Sequence, residues 1–243
     1  MKAEQRAIVS IVAAVSVLVV VTVIIFVFGV IPLPDFPSLA DRPDPSIPGT
    51  IAYVVHARES CIHTVPASGG TATEVWCGQY ADLPGWTPDG LLVVTDYFAE
   101  PMYVLIDPAT GTEIDRVRIG TGSDGGPEPY PYDLRRQRPD GAVVFTDWKG
   151  DGAATVRVRF ADGTERTILS VEDAPRDYNF SDAQWSPDGN RLLISDSAGR
   201  LIIANLEGTA NPRVVVEGLE TWAGNAAWYI PGNDTYTVDV AGG

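Results

Sequence analysis

The sequence predicts an all-β fold, a small β-propeller of about four blades, possible also as five blades or an incomplete ring, preceded by one transmembrane α-helix. Three observations predict it. A Pro-Asp-Gly phrase recurs at intervals of blade length, a short apolar β-rich run follows each copy, and the N-terminus holds one long uncharged segment. The 24 Gly and 19 Pro, spread between apolar runs, suit a turn-rich β domain better than a helical one. With 17 Lys+Arg against 32 Asp+Glu, the formal charge of −15 excludes nucleic acid as a partner. Two Cys and two His leave little material for a metal centre or a cofactor, and neither is expected.

Residues 1–6 form a short tail carrying Lys2 and Arg6. Residues 7–31 then run for 25 positions without a charge. As a helix of roughly 1.5 Å rise per residue this segment is about 37 Å long, enough to cross a hydrocarbon core of about 30 Å with some tilt. It is too long for a cleaved signal peptide and ends in Phe28-Gly29-Val30-Ile31-Pro32 rather than in a small-residue cleavage site. Lys2 and Arg6 before it, against Asp35, Asp41 and Asp44 with one Arg42 after it, predict a single-pass signal-anchor with the N-terminus inside and the C-terminus outside. Residues 32–49 carry six prolines and are expected to form an extended linker, so that the extracytoplasmic domain spans 50–243.

The repeat organises that domain. Its copies are Trp86-Thr87-Pro88-Asp89-Gly90, Arg138-Pro139-Asp140-Gly141, Trp185-Ser186-Pro187-Asp188-Gly189 and a degenerate Trp228-Tyr229-Ile230-Pro231-Gly232, with Ile47-Pro48-Gly49 as a truncated first copy. The prolines at 48, 88, 139, 187 and 231 lie 40, 51, 48 and 44 residues apart, the period of a four-stranded blade. Each phrase reads as a tight turn whose Gly supplies the positive φ. Second strands follow at 51–55, 91–95, 142–146, 191–195 and 235–238. Third strands are expected at 61–65, 102–106, 155–160 and 201–204, and fourth strands at 73–77, 113–119, 166–169 and 213–216. Asp96, Asp147, Asp196 and Asp239 close four of the second strands and are expected to accept backbone N–H groups in the turns that follow. The first repeat lacks an inner strand, and 226–230 supplies one at the other end of the chain. The ends are expected to meet, with 226–240 closing the first blade beside 51–55 and removing exposed edges.

Trp-Ser-Pro-Asp-Gly followed by an apolar strand and a Ser/Thr-Asp turn resembles the repeat of TolB-type, WD-repeat-like β-propellers, over about residues 47–239. The third copy departs from that pattern by lacking the tryptophan. The resemblance implies binding of proteins, peptides or glycans rather than a particular chemistry.

Cys61 and Cys77 are equidistant from residue 69 in a hairpin that turns near Ser68, Gly69 and Gly70. They are expected to face each other as a disulfide in an exported domain. His56 and His63 fall in neighbouring strands without a third ligand signature, and no metal site is expected. The sequence has no Gly-x-Ser-x-Gly elbow, no paired helical histidines and no phosphate loop, and therefore no catalytic residue is assigned. Asn179 and Asn233 head N-glycosylation patterns.

Blade topology separates two faces. One, carrying second-to-third-strand loops and blade-to-blade connections, gathers aromatic and basic residues. Tyr97, Phe98, Tyr130, Tyr132, Arg135, Arg136, Trp148 and Tyr178 are the expected partner-binding set. The alternative for the arginines is that they neutralise nearby blade acids. The function expected is a membrane-anchored extracytoplasmic binding or scaffold protein, an accessory subunit docking another envelope or membrane protein in a cell of bacterial type. The alternatives are a glycan or small-ligand receptor using the same rings, or a propeller hydrolase or lyase using channel carboxylates.

Overall fold

The computed structural model describes residues 33–97, 100–119, 135–149, 153–172, 178–207, 212–219, 225–238 and 240. The chain divides into two compact units, Met1–Pro34 and Asp35–Gly243. The tail at 1–6 and the transmembrane segment at 7–31 lie outside the described residues. Among the described residues no helix is long and apolar enough to cross a membrane.

Asp35–Gly243 is all-β, and its described strands form four antiparallel sheets taken in chain order. The first sheet holds β1 (Thr50–His56), β2 (Ser60–Pro66), β3 (Thr73–Gly78) and, at its other edge beside β1, β15 (Ala226–Tyr229). The second is β4 (Ala81–Trp86), β5 (Leu92–Asp96), β6 (Met102–Asp107) and β7 (Thr112–Arg118). The third is β8 (Val143–Lys149), β9 (Ala153–Arg159) and β10 (Glu165–Val171). The fourth is β11 (Phe180–Trp185), β12 (Arg191–Asp196), β13 (Leu201–Asn205) and β14 (Arg213–Val216). In the third sheet Gln137 makes a single antiparallel bridge to Val143 where the other sheets have a fourth strand. These are successive up-and-down blades, with the first completed by the last strand of the chain.

That closure agrees with the sequence reading. Ile51 pairs with Trp228 and Ala52 with Ala227, so the edge of β1 is covered. The expected strand at 235–238 does not form. After a turn in which Asn233 N–H donates to the Ile230 carbonyl, the tail crosses to the other blades instead of pairing within its own. Asn233 Nδ2 donates to the Pro187 carbonyl at 2.9 Å, Tyr236 Oη to the Gln137 carbonyl at 3.3 Å, and Val238 N–H to the Trp86 carbonyl at 2.7 Å. One short tail thereby links the first blade to the fourth, third and second in turn.

The expected linker at 32–49 is also corrected. Ser38 bridges Val214 in parallel, Leu39 N–H donates to the Val214 carbonyl, and Val214 N–H donates to the Pro37 carbonyl. Leu39 and Ile47 are buried between the first and fourth blades. Two apolar side chains among the prolines convert a spacer into a strap that covers the outer edge of β14.

The repeat phrase forms the turns expected of it. Gly90, Gly141 and Gly189 have φ of 88°, 87° and 69°, and each donates its N–H to the carbonyl three residues earlier. Ser186 Oγ donates to Asp188 Oδ1 at 2.6 Å and accepts Arg191 N–H at 3.0 Å; Thr87 and Asp89 repeat this pairing in the second blade. In the third copy Arg138 takes the hydroxyl residue's place, with its Nε bonded to Asp140 at 2.8 Å.

Three motif tryptophans make long-range hydrogen bonds outside their own strands. Trp86 Nε1 in the second blade donates to Ala227 in the first at 3.0 Å, and Trp185 in the fourth donates to Arg136 before the third at 3.1 Å. Trp228 in the first donates to Pro48 of the strap at 3.0 Å and packs against fourth-blade residues such as Leu193 and Ile203. Three apolar cores accompany these contacts, joining the first and second, third and fourth, and first and fourth blades. Among the described residues no such core joins the second and third, the seam at which Gln137 stands in place of the motif tryptophan.

Candidate docking face

Among the described residues the face with the blade-to-blade connections carries the most exposed rings. Tyr80, between β3 and β4, is 60% exposed and Tyr97, after β5, 42% exposed. Their backbones are joined, Tyr97 N–H donating to the Tyr80 carbonyl at 3.2 Å. Beside them Asn225 Nδ2 donates to Asp82 Oδ1, which ties the entrance of β15 to the start of β4. Burial pushes the Tyr97 phenol above its ordinary value, and the charges of Asp82 and Tyr103 add to the shift. Tyr97 therefore remains a neutral hydrogen-bond donor across the physiological range. Two amphipathic rings on adjoining loops, with a carboxylate at the start of β4 and a carboxamide before β15, give a surface that combines contact area with polar specificity.

The other residues expected on this face fall into three groups. Phe98, Tyr130 and Tyr132 lie outside the described residues. So does the side chain of Trp148, whose backbone is in β8. Arg136 is exposed, but its Nη2 holds Asp182 at 2.8 Å, joining the segment before the third blade to β11.

Arg135 and Tyr178 are interior residues, which corrects their expected role. Arg135 is 4% exposed and its Nη1 donates to the Ala226 carbonyl at 3.1 Å. Gln184 Nε2 donates to the same carbonyl at 2.9 Å. The second blade receives this guanidinium at Gly85, where a Cβ would collide with it and press on Val238 at 3.1 Å. Arg135 thus fastens inner strands of different blades through a backbone carbonyl, whereas the alternative reading, an arginine neutralising a blade acid, is matched by Arg136 at Asp182. Tyr178 is 2% exposed. Its hydroxyl donates to Asp196 Oδ2 at 3.2 Å, and Arg200 holds the same carboxylate at 2.6 Å. Burial raises the Tyr178 phenol well above the usual range, with Asp196 adding to the effect. Phe36 of the strap covers the Arg200 guanidinium at 5.0 Å.

Asp196 is also a turn former, its Oδ1 accepting Ala198 and Arg200 N–H at 3.0 Å each. Asp96 and Asp147 instead meet Arg116 and Arg157, at 3.1 and 3.8 Å, while Asp239 lies outside the described residues. Cys61 and Cys77 are disulfide-bonded and directly opposite in the β2–β3 ladder. A bulge beyond Ile62 leaves their register intact. The histidines have separate partners: His56 Nδ1 meets Ser60 Oγ at 3.0 Å, and His63 stacks on Tyr53. Asn179 is exposed, whereas Asn233 is partly buried with its amide committed to Pro187. Sequence reasoning passed over Tyr80 and the Asp82–Asn225 pair. Tyr80 carried a usable signal, since it stands in a blade-to-blade connection; Asp82 and Asn225 are 143 positions apart and only folding brings them together.

No family model matches the chain, and no curated protein does. Among solved structures it is similar to dipeptidyl peptidase 4 of Porphyromonas gingivalis, at 12% identity and a TM-score of 0.25, over 70% of this chain and 24% of that one. It is similar to the tricorn protease at 14% identity and a TM-score of 0.28, over 71% and 22% of the two chains. A third likeness is to YCF48 bound to D1 peptide, at 15% identity and a TM-score of 0.24, over 82% and 68%. The chain spans less than a quarter of the length of the two peptidases.

Proposed function

We propose that this chain is a membrane-anchored, extracytoplasmic propeller module of TolB type that docks another envelope or membrane protein and performs no chemistry of its own. The observation that carries this reading is the pair of exposed rings, Tyr80 and Tyr97, whose backbones are joined close in the chain to the Asp82–Asn225 bond between the second and first blades. The uncharged run at 7–31 with Lys2 and Arg6 before it supports an anchor with the domain outside, and the Cys61–Cys77 disulfide accords with an oxidising compartment.

Docking through two solvated tyrosines fits interface anchors of large contact area and low side-chain entropy cost. The test is recovery of the full chain from membranes in mild detergent, followed by mass spectrometry of what accompanies it. A stoichiometric protein partner is expected, with recovery reduced at least tenfold by Tyr80→Ala combined with Tyr97→Ala while the melting temperature stays within about 2 °C, as for other surface substitutions. Recovery of glycan in place of protein, lost in the same variant, would transfer the face to the carbohydrate reading. A partner retained undiminished by that variant would sink the assignment of this face.

A further inference from the structure

The strap and the fourth blade enclose a cavity of about 290 Å³ remote in composition from the tyrosine face. Pro37 and Ile47 of the strap and Ile203 of β13 give it apolar walls, and Arg42, Asp44, Asn205 and Arg213 supply the polar ones. Its charge is unusual for this protein. In a chain of net −15, two of the four polar residues are arginines, and among the described residues neither has a carboxylate at ion-pair distance.

The guanidinium of Arg213 donates to the Arg42 carbonyl, which holds the two residues together, while its Nε is buried without an acceptor. A buried donor left unmet costs free energy. Among the described residues Asp44 makes no ion pair with either arginine. Its Oδ1 is taken by Ser46, whose N–H and Oγ lie at 3.0 and 2.6 Å. These bonds and the fields of Arg213 and Arg191 hold the Asp44 carboxyl below its ordinary value. Arg191 approaches from the other side, donating to the Ser46 carbonyl at 3.0 Å while pairing with Asp188 at 3.2 Å. The cavity lining thus holds two arginines against one aspartate, and its excess charge is positive.

From this we propose that the cavity binds a compact anionic group, a phosphate or a carboxylate, between Arg42 and Arg213. Guanidinium groups recognise both through paired N–H donors. The volume lies at the small end of ligand pockets, roughly 300–1,000 Å³, which suits a small anion or the charged head of a larger molecule. The site is independent of the docking face, since it uses other blades and other residues.

The test is isothermal titration of the full chain in detergent with inorganic phosphate, glycerol phosphate and acetate in turn, at an ionic strength fixed with sodium chloride. Saturable binding at millimolar concentration or tighter is expected for at least one of the three, weakened at least tenfold in Arg42→Ala and in Arg213→Gln. Arg42 is exposed, so Arg42→Ala is expected to leave the melting temperature within about 2 °C and decides the question even if Arg213→Gln does not fold. Arg58→Ala, in the exposed β1–β2 loop, is expected to bind as the parent does. Stronger binding of glycerol phosphate than of phosphate assigns an ester head group, the reverse a free ion, and acetate alone a carboxylate. No heat above the chloride blank with any of the three, or affinity unchanged in Arg42→Ala, overturns the proposal. Neither result bears on whether Tyr80 and Tyr97 dock a protein.

Discussion

Replacing Trp185 by alanine tests whether the motif tryptophans hold the blades to one another. The ring is 1% exposed, inside the core shared by the third and fourth blades, and its Nε1 reaches across to the Arg136 carbonyl at 3.1 Å. Arg138 lies over its face at 4.9 Å. Loss of a buried tryptophan ordinarily costs about 3–5 kcal/mol, and the hydrogen bond accounts for about 1 kcal/mol of such a total. A domain of this size loses roughly 2–4 °C per kcal/mol, so Trp185→Ala is expected to melt about 6–20 °C below the parent. Trp185→Phe keeps most of the ring and loses the donor, and is expected to cost about 1–2 kcal/mol. Gln137→Ala, at the equivalent place in the third copy, is expected to change little, because the Gln137 side chain is exposed. Melting followed by near-UV circular dichroism on the full chain in detergent measures all three. If Trp185→Ala and Gln137→Ala lose the same amount, the tryptophan is not a staple and the reasoning fails.

Three further outcomes follow from named contacts. Substituting both Cys61 and Cys77 by serine opens a loop of sequence separation 16 and is expected to cost about 3 kcal/mol in a denaturant titration; an unchanged midpoint would contradict it. Asp140 is held at a pKa of about 2, chiefly by its hydrogen bond from Arg138 and then by Ala142 N–H. Its contribution to the turn is therefore present above the ordinary value of 3.8 and lost as the pH falls through about 2. Carbon-detected NMR titration is expected to show this, and to show the value rising in Arg138→Met. Asp196→Ala leaves Arg200 buried without its carboxylate and is expected to destabilise by about 3–5 kcal/mol, whereas Tyr178→Phe is expected to lose about 1 kcal/mol and no partner affinity. Weakened docking in Tyr178→Phe at unchanged stability would return that residue to the binding face.

What the sequence disclosed was local chemistry repeated at a fixed interval. Each Pro-Asp-Gly turn is specified by residues within five positions, which is why the turns at Gly90, Gly141 and Gly189 and the strands after them were legible. The disulfide was legible for the same reason, since hairpin symmetry about residue 69 needs no distant partner. Closure by 226–230 followed from counting strands. The tail and the strap were misread because their structure depends on surfaces made elsewhere: Val238 finds the Trp86 carbonyl and Leu39 the edge of β14, neither of which its own neighbourhood reveals. The sequence misplaces Arg135 and Tyr178 because an aromatic or basic residue between strands has the same signature whether it faces solvent or a buried acceptor. Only Gly85 and Asp196, 50 and 18 positions from them, decide the matter.

The missing tryptophan of the third copy has a consequence for how the domain opens. Two seams combine a core with a tryptophan donor that crosses them, and the first–fourth seam has a core that includes Trp228, whereas the second–third seam has, among the described residues, neither core nor donor. It is spanned instead by polar contacts from outside the blades: Arg135 between Gly85 and Ala226, and the tail from Tyr236 at Gln137 to Val238 at Trp86. Such contacts stabilise by about 1 kcal/mol each, less than the burial of one large apolar side chain. Among the described residues the third sheet has only the Gln137 bridge on the inner side of β8, where Val143 is left exposed. Local opening is therefore expected to begin there. In native-state hydrogen exchange, amides of β8 are expected to lose protection at lower denaturant than those of β12, which is flanked by strands on both sides and buried through Asp196. Removing the tail after Gly232 is expected to widen the difference, since two of the contacts across that seam go with it. Equal protection of β8 and β12, unaffected by the truncation, would show that the ring is held equally at all four seams and that the lost tryptophan is compensated by groups outside the contacts described.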